Sequence, residues 1–258
     1  MAQTVGQSIT LWNRNMNEVI EHITREIGTE PVPYELVDRS DIRTSTNCLL
    51  WKLPPPTEDD KSILHSVSEI QQKLYELCQV TPESPEIREL AKKQARLLEG
   101  VKISKKYGVS FFTTNDLIAL DKWKGIRKEW WNLRDYVKEK QCCLFLGYSS
   151  ATQQLQNIAD EIILMPSPDP CDYLKLHSTR GNNYTIETEE LIRRIEKLAK
   201  IVKTNILFAT EDSIELLLEY SSGKENLSAI RYQLRKMCPD IEELTTAIKT
   251  GRVYIWWD

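Results

Sequence analysis

Residues 205–219, NILFATEDSIELLLE, decide the fold. Two apolar runs, 205–209 and 214–219, flank Thr210, Glu211 and Asp212, residues that favour turns, so the stretch predicts a β-hairpin. Upstream, Leu191, Ile192, Ile195, Leu198, Ala199 and Val202 recur at spacings of three and four, the pattern of an amphipathic helix opened by Thr185 or Thr188. Before it, Ile162, Ile163 and Leu164 read as a strand. Downstream, Ser222 and Glu225 have the reciprocal capping spacing ahead of a helix through Leu227, Ile230, Leu234 and Met237, which Pro239 stops. A short helix over 241–250 ends at Gly251, and 253–256 closes the chain as a strand. From residue 162 the order is β, α, β, β, α, β, with the extra short helix before the last strand. This matches a ferredoxin-like arrangement with one face covered by helices and the other available to the amino-terminal half.

That half reads as mainly helical. Met16, Val19, Ile20, Ile23 and Ile27 form one helical stripe, with Gly28 placed as a left-handed cap. Ile63, Val67, Ile70, Leu74 and Leu77 form a second, and Ser84-Pro85 opens a third through Ile87, Leu90, Leu97 and Leu98. Residues 48–51 suggest a short strand, and Pro54, Pro55 and Pro56 a stiff connector. Ile126, Trp130, Leu133 and Val137 continue at helical spacing. The adjacent Trp130 and Trp131 cannot both face one core. The basic stretch 122–140 then gives way to the apolar run 142–146, which sets an expected boundary: a mainly helical domain over 1–140 and an α+β domain over 141–258.

Of the 258 residues, 41% are hydrophobic and 28% charged, an ordinary globular balance. There is no run of 18 apolar residues and no basic-then-apolar leader, so the expected compartment is the cytoplasm, without a membrane partner. Six cysteines are too few for a disulfide scaffold. Net charge is −4, yet 88–140 alone carries +7, leaving −11 on the rest. A cationic segment can hold phosphate, which makes nucleic acid a possible partner through Lys92, Lys93, Arg96, Lys102, Lys105 and Lys106. Lys122, Lys124, Arg127 and Lys128 would extend that surface, and Trp131 would serve as a stacking or interface residue. The plainer reading of such a run is a solvated helical face.

Catalytic patterns are scarce. Gly147-Tyr148-Ser149-Ser150-Ala151 lies between a strand and a helix but lacks the second glycine of a nucleophile elbow, and only His177 follows it. Cys171, His177, Asp169 and Asp172 share one loop without a paired-ligand spacing, so no metal is expected. No glycine-rich phosphate loop occurs, and no cofactor is expected. If a polar site exists, it combines the 166–183 loop, bearing Asp169, Asp172, His177 and Arg180, with Asp212 and Asp240.

The tail, Cys238-Pro239-Asp240 followed by Trp256-Trp257-Asp258, resembles the bacterial domain-of-unknown-function family 4253. Asp212-Ser213-Ile214-Glu215-Leu216 is similar to that family's short Asp-Thr-Leu-Glu-Leu strand. Gly181-Asn182-Asn183 is similar to its glycine- and asparagine-containing loop, although the tryptophan usual there is absent. The resemblance covers residues 162–258 and implies no activity. Together these features lead to the expectation of a bacterial or phage-type protein that binds another protein, in an inhibitor or immunity-like manner, without catalysis. Nucleic-acid binding and an enzyme with a site near 166–183 are the competing readings.

Overall fold

The computed structural model describes residues 2–37, 43–53, 58–80, 85–100, 128–147, 161–220, 226–239, 241, 244, 248 and 251–257. They form a mixed helix-and-sheet chain: α1 (Ala2–Ile27), β1 (Val32–Val37), β2 (Arg43–Lys52), α2 (Glu58–Val80), α3 (Pro85–Gly100), α4 (Lys128–Glu139), β3 (Cys143–Gly147) and β4 (Glu161–Met165). There follow α5 (Cys171–His177), a 3-10 turn (Asn182–Tyr184), α6 (Thr188–Ala199), β5 (Lys203–Ala209), β6 (Ser213–Glu219), α7 (Leu227–Met237) and β7 (Arg252–Trp256). Two compact units result. The first comprises 1–68, 96–111 and 126–169, and the second 69–95, 112–125 and 170–258, so the division passes through α2 and α3.

The first unit is built on a four-stranded sheet in the order β1-β2-β4-β3, antiparallel throughout. Trp51, fully buried, donates its indole N–H to Thr24 Oγ1 at 3.1 Å, fastening β2 to the face of α1 that also buries Val19, Ile23 and Ile27. Gly28 ends α1 at φ +82 with its N–H on the Thr24 carbonyl, the left-handed stop that only a residue without Cβ adopts cheaply. The His22 and Tyr136 rings meet at 4.1 Å and Lys140 pairs with Glu18 at 2.9 Å, tying α1 to α4 and the turn after it. Of the adjacent tryptophans, Trp130 is fully buried, while Trp131 is partly exposed with the Arg134 guanidinium 5.6 Å from its ring.

Two expectations change here. The boundary expected at 141 falls inside the first unit, because β3 and β4 complete the sheet that β1 and β2 begin, and the chain passes to the second unit after Asp169. The ferredoxin-like order is not found either. The strand at 161–165 pairs with β2 and β3, leaving β5, β6 and β7 as a separate three-stranded antiparallel sheet in sequential order. The helix expected after Ser149 or Ser150 lies outside the described residues.

In the second unit, α6 packs on β5 and α7, and α5 packs on β5 and α6. Leu191, Ile195 and Leu198 of α6 and Ile230, Leu234 and Met237 of α7 are buried, as the spacing required. Asn226 caps α7, its side-chain oxygen accepting from the Ala229 N–H at 3.0 Å, whereas the expected Ser222 and Glu225 lie outside the described residues. Arg194 donates to the Lys236 carbonyl at the carboxy end of α7, where a cation satisfies a carbonyl that has no partner inside the helix.

Candidate binding face of the second unit

Residues directly opposite in an antiparallel sheet point to the same face, and alternate residues to the other. One set, Ile206, Ala209, Ile214, Leu216, Leu218, Val253 and Ile255, is at most 3% exposed and forms the core under the helices. The other set reads across the sheet in rows. Phe208, Glu215 and Tyr254 form the central one, Ser213 and Trp256 the next toward the β5–β6 turn, and Asn205, Leu217 and Arg252 the next away from it. Tyr254 and Trp256, two residues apart on β7, are each 54% exposed, and Phe208 is partly exposed beside them. The same rows hold an ion pair, Arg252 Nε donating to Glu215 Oε1, with the two side chains 8% and 1% exposed. Lys203 pairs with Glu219 at 2.9 Å on the margin.

Trp257 points the other way and is fully buried. Its backbone N–H donates to the Asp212 carbonyl at 2.8 Å and its indole N–H to the Met237 carbonyl at 3.0 Å. Gly181 lies against the ring so closely that a Cβ there would stand 2.9 Å from Nε1. One tryptophan thus gathers the carboxy end of α7, the loop before the 3-10 turn and the β5–β6 turn. These are the stretches in which the sequence resemblance was read, and their described residues pack together here.

The residues of the expected polar site serve the same closure or lie apart from it. Arg180 pairs with Glu211 at 2.7 Å and its N–H reaches the Glu211 carbonyl, while Thr179 donates to the Thr210 carbonyl at 2.6 Å. Asp212 Oδ1 accepts from the Thr210 hydroxyl at 2.9 Å. Asp172 pairs with Lys175 one turn on, on the surface of α5. Asp169 belongs to the first unit, where its N–H donates to Ser167 Oγ, and Asp240 lies outside the described residues. His177 packs edge-on against the Tyr173 ring at 4.6 Å, and burial pulls its pKa down to about 4. Among the described residues no group of His, Cys, Asp and Glu is placed to hold a metal. Burial pushes the Cys143 thiol up to about 11 and raises Cys48 and Cys142 as well, so these thiols stay protonated.

Of the basic set, Lys92, Lys93 and Arg96 are exposed on α3, with Lys92 paired to Glu89 at 2.9 Å. Lys102, Lys105, Lys106, Lys122, Lys124 and Arg127 lie outside the described residues, as does the side chain of Lys128, at the start of α4. No helix among the described residues is long and apolar enough to cross a membrane.

The lowered His177 pKa has a measurable consequence. The unfolded chain takes up a proton near pH 6.5 that the folded protein refuses until about 4, so this residue contributes stability above 6.5 that is lost as pH falls toward 4. Denaturant midpoints are expected to fall across that interval in the wild type and to fall less in His177→Phe. Identical slopes in the two proteins would refute the assignment.

The sequence left two features unnoticed. Glu215 stands in the otherwise apolar Ile214-Glu215-Leu216, where alternation turns it outward, and nothing local shows that Arg252, far along the chain, covers it. Trp256 is exposed and Trp257 buried, and nothing in the sequence shows which of these two neighbours turns outward. No family model matches the chain, and comparison with curated proteins and with solved structures finds no similar one.

Proposed function

We propose that this chain is a non-catalytic protein-binding module whose contact surface is the outward face of β5, β6 and β7. The observation that carries the reading is Tyr254 and Trp256 side by side, each 54% exposed, with Phe208 in the adjoining row. Exposed aromatics set together on a rigid sheet are the residues that dominate protein interfaces, since they bury a large area with little loss of side-chain freedom. The face also holds Glu215 and Glu219 against Arg252 and Lys203, without the cationic excess that a phosphate backbone requires, which favours protein over nucleic acid. Asp172 and Arg180 of the 166–183 region are held in ion pairs with Lys175 and Glu211, which weighs against the enzyme reading. The meeting of the motif stretches around Trp257 supports the resemblance to family 4253 as a shared closure of the fold. An inhibitor or immunity-like role is one form in which such a module acts.

The test is paired affinity capture from the native host with the wild type and with the double variant Tyr254→Ser, Trp256→Ser, whose unfolding midpoint is checked first. A protein retained by the wild type and lost by the double variant is the expected result. The same proteins retained by both would refute the reading.

A further inference from the structure

We propose that the outward ridge of α7 is a docking strip for an acidic segment of another protein, with Leu227, Arg231, Arg235 and Lys236 as its contacts. The strip lies on the helical side of the second unit and not on the aromatic sheet face, so either proposal can fail alone.

α7 buries Ile230, Leu234 and Met237, and the helical period turns Arg231, Tyr232, Arg235 and Lys236 outward, where all four are exposed. Leu227, Arg231 and Arg235 recur at a spacing of four, so they stand in one row with neighbours about 6 Å apart at Cβ. Leu227, at the head of the row, is 52% exposed. The helix carries three cations and no acid in a chain whose net charge is −4. Among the described residues neither Arg231 nor Arg235 meets a carboxylate.

The usual use of basic residues at a helix end does not account for this row. Arg194, from α6, already donates to the Lys236 carbonyl there. Arg231 stands more than a turn before that end, where the helix dipole has faded.

The occupant follows from the sign, width and shape of the strip. Three cations call for carboxylates or phosphates. The positive field is one helix wide, since α6, packed beside α7, carries three acids and three bases and is neutral. A duplex or a lipid surface spans more than one helix and would bring its phosphates against the exposed Glu189 and Glu196, whereas a single segment lies along the row. A single-stranded nucleic acid needs an open aromatic face for its bases, but the Lys236 ammonium sits over the Tyr232 ring, 4.5 Å from its centroid. The ring instead holds that ammonium beside the row. The guanidinium forks of Arg231 and Arg235 suit carboxylates, and exposed Leu227 suits an apolar side chain next to them. That combination belongs to an acidic protein segment about 16 Å long, the length of α7.

Titration of the full chain at low salt with a synthetic peptide of glutamate and alanine bearing one leucine, followed by amide NMR, tests this. The expected result is saturable shifts centred on the Arg231 and Arg235 amides, with an affinity that falls about tenfold in the double variant Arg231→Glu, Arg235→Glu. Lys93→Glu, Arg96→Glu, at exposed positions of α3, changes the net charge by the same amount and is expected to keep the affinity within about twofold. Unfolding midpoints of both double variants are compared with the wild type first. No saturable binding by the wild type, shifts centred elsewhere, or equal losses in the two double variants would overturn the proposal. So would oligothymidylate or phosphatidylserine vesicles that bind the wild type more tightly than the peptide and lose that binding in the α7 variant, since the strip would then belong to nucleic acid or lipid.

Discussion

Trp257→Ala is expected to lower the stability of the second unit by about 3–5 kcal/mol, the range for emptying a fully buried tryptophan site. The ring is 0% exposed, it lies against Gly181, and its N–H satisfies the Met237 carbonyl at the end of α7. Its neighbours belong to three different segments, so they cannot collapse into the space together. Trp257→Phe separates packing from hydrogen bonding. It keeps most of the ring but leaves the carbonyl unmatched, for an expected cost of about 1–3 kcal/mol. Denaturant unfolding of the two variants beside the wild type checks both values, and a loss under about 1 kcal/mol for the alanine variant would remove Trp257 as the closure of the fold.

Glu215→Ala is expected to cost about 3–5 kcal/mol for a different reason, because it strands the Arg252 guanidinium in a site only 8% exposed. The ion pair need not itself be strongly stabilising, since taking both charges out of water offsets much of their attraction. The double variant Glu215→Met, Arg252→Met is therefore expected to recover most of the loss. If the single and double variants were equally destabilised, the pair would not be the cause.

These two sites mark the limit of what the sequence made legible. Elements with one buried face were readable: α6 through Leu191, Ile195 and Leu198, α7 through Ile230 and Leu234, and the β5–β6 hairpin through its turn. The strand at 161–165 was readable as a strand but not in its partner. Four of its five residues are buried, so the run carries no alternation to say which sheet it joins, and the ferredoxin-like expectation placed it in the wrong one. α5 was hidden among Pro166, Pro168 and Pro170, since seven residues make too few turns to display a period. β1 contains Pro33 and follows Pro31, residues that interrupt a strand pattern except on a sheet edge, where β1 lies. The polar candidates were chosen by residue type alone. Arg180 and Asp212 do come together, but as partners of Glu211 and Thr210 in a turn, a use that composition cannot distinguish from a site.

The adjacent tryptophans at the end of β7 have opposite roles in this reading, Trp256 offered outward for docking and Trp257 closing the core. Hydroxyl-radical footprinting, read by mass spectrometry on the native protein with and without its captured partner, addresses both roles at once. Strong oxidation of Tyr254 and Trp256 in the purified protein, their protection in the complex, and an unmodified Trp257 in both are the predicted outcome. Equal oxidation of Trp256 and Trp257, or a Trp256 as reactive in the complex as alone, would contradict it.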